Sequence, residues 1–169
     1  MMIYLGIDPG SRTTGYGIIK EELNKLFYVD SGVIRTTHTN LSNRLLQIYD
    51  GVCELMQRYS PDEVVIEAVF MHQNAASALK LGQARGAALV AAASFRVKIA
   101  EYAPRVIKQA VVGFGGADKV QVTEMVSKIL TLSNNPKEDA ADALAAAICH
   151  SHHRHFTQLI EREQHDRMD

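Results

Sequence analysis

Three observations in the sequence predict an α/β layered domain. Three β-rich runs follow one another from the N-terminus, as in an antiparallel meander. Apolar residues then recur at helical spacing, and a near-continuous apolar run follows, as in a strand covered on both faces. The remainder alternates helical segments with one more short strand, the pattern of a layered fold. The chain has 169 residues, one domain's worth, and at about 150 residues a single core buries roughly 70% of the unfolded surface.

The elements follow in order. Residues 3–7 form a strand that ends at the turn signal Asp8-Pro9-Gly10, and residues 15–20 and 27–35 form two more strands around a polar turn. Leu41, Leu45, Ile48, Val52, Leu55 and Tyr59 keep a helical period, so 41–59 is an amphipathic helix, stopped by Ser60-Pro61-Asp62. Residues 63–70 (EVVIEAVF) are a buried strand. Residues 75–95 are an Ala-rich helix with Ala78, Gly82 and Gly86 at intervals of four, a strip that admits a second helix closely. A strand at 98–102, a helix at 104–112, a glycine loop (Gly113, Gly115, Gly116) and helices at 119–132 and 137–150 complete the pattern. One domain over 1–155 is expected, with a polar, mobile tail over 156–169.

Composition narrows the function classes. Hydrophobic residues are 47% and charged residues 22% of the chain, a globular balance rather than a disordered one. Cys53 and Cys149 have no motif spacing, so no disulfide framework is expected. The longest apolar stretch, 86–95, falls far short of the roughly 20 residues that span a bilayer. A soluble cytoplasmic protein with no membrane partner is expected.

Acidic residues carry the chemical signal. Asp8 ends the first strand on the same face as Gly6, which leaves that face uncrowded. The bland alternative is an Asp opening a turn. Glu67 sits within the apolar fourth strand, where a carboxylate needs a cation, a base or a metal. A satisfied buried ion pair is its alternative. In Asn135-Pro136-Lys137-Glu138-Asp139-Ala140-Ala141-Asp142, helix capping by Asn135, Pro136 and Glu138 explains the first acids but not Asp142. Asp139 and Asp142 share a helix face, with Ala141, Leu144 and Ile148 roughly opposite. Four such carboxylates suit hard divalent cations. A pair of these ions clamps the attacking and leaving oxygens of an in-line phosphoryl displacement.

Five blocks in order carry a family resemblance: Gly6 to Gly17 (GIDPGSRTTGYG), Ile66 to Phe70 (IEAVF), Asn74 with Ser77 to Gly86, Lys108 to Gly113 (KQAVVG), and Asp139 to Ala145 (DAADALA). Over residues 1–150 the sequence resembles the RuvC family of bacterial Holliday-junction resolvases. The resemblance implies a ribonuclease-H-like fold with a mixed five-stranded sheet, antiparallel meander first and parallel strands after. It implies a homodimer that cleaves four-way junction DNA with magnesium, two ions per subunit, for which manganese may substitute. Asp8, Glu67, Asp139 and Asp142 match the family's metal-binding catalytic tetrad, Lys108 and Lys119 its DNA-contacting lysines, and Phe70 an aromatic that stacks on junction bases. A branch-migration motor complex is implied as a partner.

Around these residues the alternatives are plain. On its residues alone Phe70 reads first as a core residue at a strand end, and the resemblance makes it an exposed aromatic that stacks on bases. Lys119 opens a helix after the glycine loop, where backbone N–H groups and a cation suit a phosphate; a solvated lysine is its alternative, as for Lys108. Lys80 and Arg105 are further candidate phosphate contacts. Cys149-His150-Ser151-His152-His153-Arg154-His155 lacks the spacing of a zinc site and reads as a polar helix end running into the tail. The rival functions are a sugar-kinase or actin-type ATP-binding fold, for which the chain is too short, and a junction-binding protein without cleavage.

The net charge of −1 argues against a nucleic-acid partner only as a total. Residues 1–67 carry a net −3, residues 68–130 a net +5 and residues 131–169 a net −3. The basic excess lies between Glu67 and Asp139, with Phe70, Lys80, Lys108 and Lys119.

Overall fold

The computed structural model describes residues 1–68 and 74–165, with side chains to residue 157. Strands β1 (Met2–Asp8), β2 (Thr13–Glu22) and β3 (Lys25–Arg35) form the meander. Leu23 and Asn24, at φ 50° and 62°, link β2 to β3. They supply the left-handed pair that a tight two-residue hairpin needs. Strands β4 (Glu63–Glu67) and β5 (Lys98–Tyr102) add in parallel on the other side of β1, giving the order β3-β2-β1-β4-β5. The predicted mixed five-stranded sheet is therefore observed. In β1 and β4, Ile7 lies beside Ile66, so Asp8 and Glu67 leave the sheet together.

Strand alternation sorts the side chains into two layers. Leu5, Ile7, Ile18, Val64 and Ile66 face helices α1 (Leu41–Tyr59) and α2 (Ala75–Ala93), meeting Ile48, Val52, Ala84 and Ala88. Helix α1 matches its predicted span, with Asn40 accepting the Ser42 N–H at its start. Tyr4, Ile19 and Val65 face helices α3 (Pro104–Val112), α4 (Lys119–Ile129) and α5 (Glu138–His165), meeting Ile107, Val122, Leu144 and Ile148. No helix among the described residues is long and apolar enough to cross a membrane.

Helix α5 departs from the sequence reading in three ways. It starts at Glu138, so Asn135 and Pro136 are not its cap; Asn135 Oδ1 instead accepts the Ser127 hydroxyl at 2.8 Å. It has no single apolar face: Ala140, Ala141 and every residue from Ala143 to Cys149 are buried, because the helix lies between the sheet and α3–α4. Small residues let it sink that deeply. A Cβ on Gly15 of β2 would overlap the Asp139 carbonyl oxygen, and one on Gly6 of β1 the Ala143 carbonyl oxygen.

The third departure concerns its end. The helix runs on past residue 150 to His165. Within the stretch from Cys149 to His155, one face is a packed clamp rather than a solvated helix end, while His152 and His153 stay exposed. His150 and Ser151 are buried. His150 Nε2 lies 2.5 Å from Glu63 Oε2, and its Nδ1 lies 2.9 Å from the Tyr102 hydroxyl. Arg154 reaches Glu63 at 3.3 Å, and His155 reaches Glu21 at 2.7 Å. Glu21 also accepts the hydroxyls of Tyr4 and Ser151 at 2.9 and 2.8 Å. Two carboxylates at one end of the sheet thus hold the second half of α5.

Candidate active site

The other end of the sheet holds the predicted acids. Asp8 closes β1 and Glu67 closes β4, so both stand at the carboxyl ends of neighbouring parallel strands, where α/β folds place their ligands. Glu67 is at the strand's end rather than mid-strand. Asp139 and Asp142 come from the first two turns of α5. The close approach of Asp139 to Gly15, itself paired with Asp8 in the sheet, brings the helix start over β1 and β2.

Asp8, Glu67 and Asp142 line one cavity of about 230 Å³ with Lys108, Lys119, Pro104, Ile107 and Val122. Larger cavities occur elsewhere, one of about 970 Å³ between β3 and the α4–α5 turn. That space brings together no carboxylates. The smaller one joins three acids to two lysines.

The acids repel one another. Burial, then the charges of Glu67, Asp142 and Asp139, push the Asp8 carboxyl up to about 8. Burial and Asp142 push Glu67 up to about 7, against a hydrogen bond from Asp8 and the charges of Lys119 and Lys108. Burial also raises Asp142, although Lys119 opposes it. Burial and the neighbouring acids thus favour the protonated form of Asp8. Such strongly raised acids in a cleft mark a site built for bound positive charge.

Lys119 supplies part of that charge. Its Nζ contacts Glu138 Oε1 and lies 3.5 Å from Asp142 Oδ2. The hydrogen bond to Glu138 is the largest influence holding its ammonium above the ordinary range. At the start of α4, Asp118 and Gln121 form a capping box that takes the N–H groups of Gln121 and Asp118. Lys119 lines the acid cavity with its side chain.

The remaining candidates lie elsewhere or beyond the described residues. Arg105 is exposed on α3, packs over Gly115 and lines a different, apolar cavity with His152 and Phe156. Lys80 is exposed on α2, in the opposite helical layer. Phe70 falls outside the described residues. The reading of the sequence missed Glu138, whose place at the start of α5 was explained by capping. Its spacing of four from Asp142 was the available signal, since residues four apart share a helix face.

The oxygen-only donor set fits a hard divalent cation. No three acid, His or Cys side chains among the described residues already converge as a metal-ligand group.

Comparison with known proteins agrees with this geometry. Residues 4–150 match the family model described as crossover junction endodeoxyribonuclease RuvC. A protein of that name from Legionella pneumophila (strain Lens) is 65% identical over 162 residues, 95% of this chain and 93% of its own length. One from Pasteurella multocida (strain Pm70) is 59% identical over 152 residues, covering 90% of this chain and 80% of its own length. The structure of Thermus thermophilus RuvC in complex with a Holliday junction substrate superposes with a TM-score of 0.86 at 34% identity, covering 93% of this chain and 97% of that one. Together with the acids at the carboxyl ends of β1 and β4 and the start of α5, these matches show that the chain belongs to the RuvC family of crossover junction endodeoxyribonucleases.

Proposed function

We propose that this Holliday-junction resolving endonuclease cuts by hydrolysis at the cavity of Asp8, Glu67 and Asp142, with Asp139 as the fourth acid and magnesium as the ion, two per subunit. The observation that carries the reading is the meeting of buried, mutually repelling carboxylates with Lys108 and Lys119 in one cavity. Divalent cations held on these oxygens supply a polarised water and charge stabilisation at the phosphorus. Manganese, which shares magnesium's preference for oxygen ligands, would substitute.

The chain's own groups do the rest. Lys108 and Lys119 offer ammonium groups at the cavity wall to the phosphodiester oxygens. Asp8 gives up its proton when positive charge arrives beside it. The walls of Pro104, Ile107 and Val122 limit water on the other side. The products of such a displacement are a 5′-phosphate and a 3′-hydroxyl.

Paired cuts on strands of like polarity call for two sites related by a twofold axis, hence a homodimer. Helix α2 offers a face for it. Leu79 and Val90 are 66% and 61% exposed, and a Cβ on Gly82 or Gly86 would meet nothing within 4 Å. A branch-migration motor is a partner on family grounds, and the cytoplasm is the compartment where such DNA is met. Phe70, Lys80 and Arg105 remain candidate DNA contacts, and the domain is read as 1–155.

The test is cleavage of a synthetic four-way junction with magnesium, wild type against Asp8→Asn. Wild type is expected to nick two strands symmetrically and Asp8→Asn to bind without cutting. A wild type that binds and never cuts overturns the hydrolytic reading; an Asp8→Asn chain that cuts normally overturns the site.

A further inference from the structure

Lys119 faces two carboxylates with different surroundings. Asp142 Oδ2, 3.5 Å from Nζ, belongs to the cavity of Asp8 and Glu67. Glu138, in contact with the same Nζ, lines a separate cavity of about 180 Å³ with Val120, Thr123 and Asn135. Lys119 is the residue common to both. Glu138 and Asp142 are one helical turn apart on α5, so a single ammonium bridges them. The Glu138 side chain is 59% exposed and that of Asp142 only 21%. The outer contact is thus screened and exchangeable, and the inner one is less so.

An ion bound to Asp142 competes with Lys119 for that carboxylate and repels its ammonium. We propose that Glu138 is a positioning residue that receives the Lys119 ammonium when Asp142 engages divalent ions. It eases ion loading and keeps Lys119 at the rim of the acid cavity, where a phosphodiester would enter. Glu138 touches neither ion nor substrate in this role and acts through Lys119. The inference rests on the reading above that Asp142 holds metal.

The consequence is specific. Without Glu138, Lys119 keeps Asp142 as its anionic partner and competes harder with the ion. The test is a double-mutant cycle on the full-length protein without DNA, read as manganese affinity by calorimetry or by the spin resonance of free manganese. Glu138→Gln is expected to weaken manganese binding about two- to fivefold, the scale of one exposed ion pair. Lys119→Met alone is expected to tighten binding, since the competing cation is gone. In the Lys119→Met background, Glu138→Gln is expected to change nothing, because the two residues act as a unit.

Equal weakening in both backgrounds overturns the proposal, since Glu138 then attracts ions directly. An unchanged affinity in Glu138→Gln also overturns it. Thermal melting of each variant separates misfolding from either result, and Glu138→Asp, which keeps the charge, supplies a folded alternative expected to recover part of the affinity. Failure of the underlying reading has a different signature: Asp142→Asn would then bind manganese as wild type does.

Discussion

Glu63 and Glu67 leave the same face of β4 and meet α5 at two different stretches. Glu67 stands with Asp142 near the helix start, and Glu63 holds His150 and Arg154 two to three turns later. Four strand residues and eight helical residues both advance about 12–13 Å, so strand and helix keep step. The Glu63 end is closed by partners and the Glu67 end is left short of them. The first carboxylate anchors, and the second is available for chemistry.

The anchor should be worth measuring. The Glu63 side chain is 9% exposed, and truncating one partner of a buried pair leaves the others uncompensated. Glu63→Ala is expected to lower the unfolding free energy by about 2–4 kcal/mol, at or below the buried-pair range because its partners Arg154 and Lys98, the latter 3.7 Å from Glu63 Oε2, reach solvent. Urea denaturation with an unchanged m-value is the check. A loss under half a kcal/mol would mean that α5 is held by its apolar contacts alone.

The same clamp gives an acid-side pH dependence. Burial pushes His150 below its ordinary 6.5, more than Glu63 raises it. The folded chain then binds fewer protons than the unfolded one, so this contribution is present above 6.5 and lost as pH falls through it. Glu21 has the same sign. Burial alone would raise it, but hydrogen bonds from Ser151 and Tyr4 and the charge of His155 bring it below 4.5. Its contribution is present above 4.5 and fades as pH falls further. The melting temperature should drop between pH 7 and 5. A His150→Gln chain that loses as much over that interval as wild type would remove His150 from the explanation.

The acid cavity has the opposite sign. Asp8 and Glu67 are raised to about 8 and about 7, so the folded chain holds extra protons above the ordinary carboxylate range. That stability is lost as pH rises through these values. Asp8→Asn removes an ionising group from the cavity. Without divalent ions at pH 8 it should melt higher than wild type, by about 2–4 °C per kcal/mol relieved. Its cleavage rate should fall by about 10²-fold or more, the scale of losing one preorganised charge. A lower melting temperature at pH 8 would refute the assigned repulsion.

Lys119 and Lys108 should register as phosphate contacts. Lys119→Ala is expected to weaken junction binding across sequences and to reduce the slope of log K against log salt by about one. Binding titrations at several salt concentrations measure it. An unchanged slope would confine Lys119 to its contacts with Asp142 and Glu138.

Helix α2 should carry the dimer contact. Leu79→Glu or Val90→Glu puts a charge on the open small-residue face. Light scattering should then show a monomer, and the junction should receive single rather than paired nicks. A dimer that survives both changes places the contact elsewhere.

Much of this was legible in the chain itself. Period-two and helical patterns located ten elements, and α1, β5 and α3 fall on their predicted spans, because local propensity and one-sided burial decide such segments. The motif blocks contain the four acids and Lys108, and the family match bears out the resemblance that rested on them. Where the sequence fell short, partners came from distant parts of the chain. His150 is 87 positions from Glu63, and Ser151 is 130 from Glu21. No local pattern shows that Cys149, His150 and Ser151 of a polar run will be buried while His152 and His153 stay exposed. The tertiary structure decided which polar groups find partners. A buried carboxylate must be compensated, and only the packing of α5 across β1, β2 and β4 determines that Glu21 and Glu63 are compensated by the protein while Asp8 and Glu67 are left with each other.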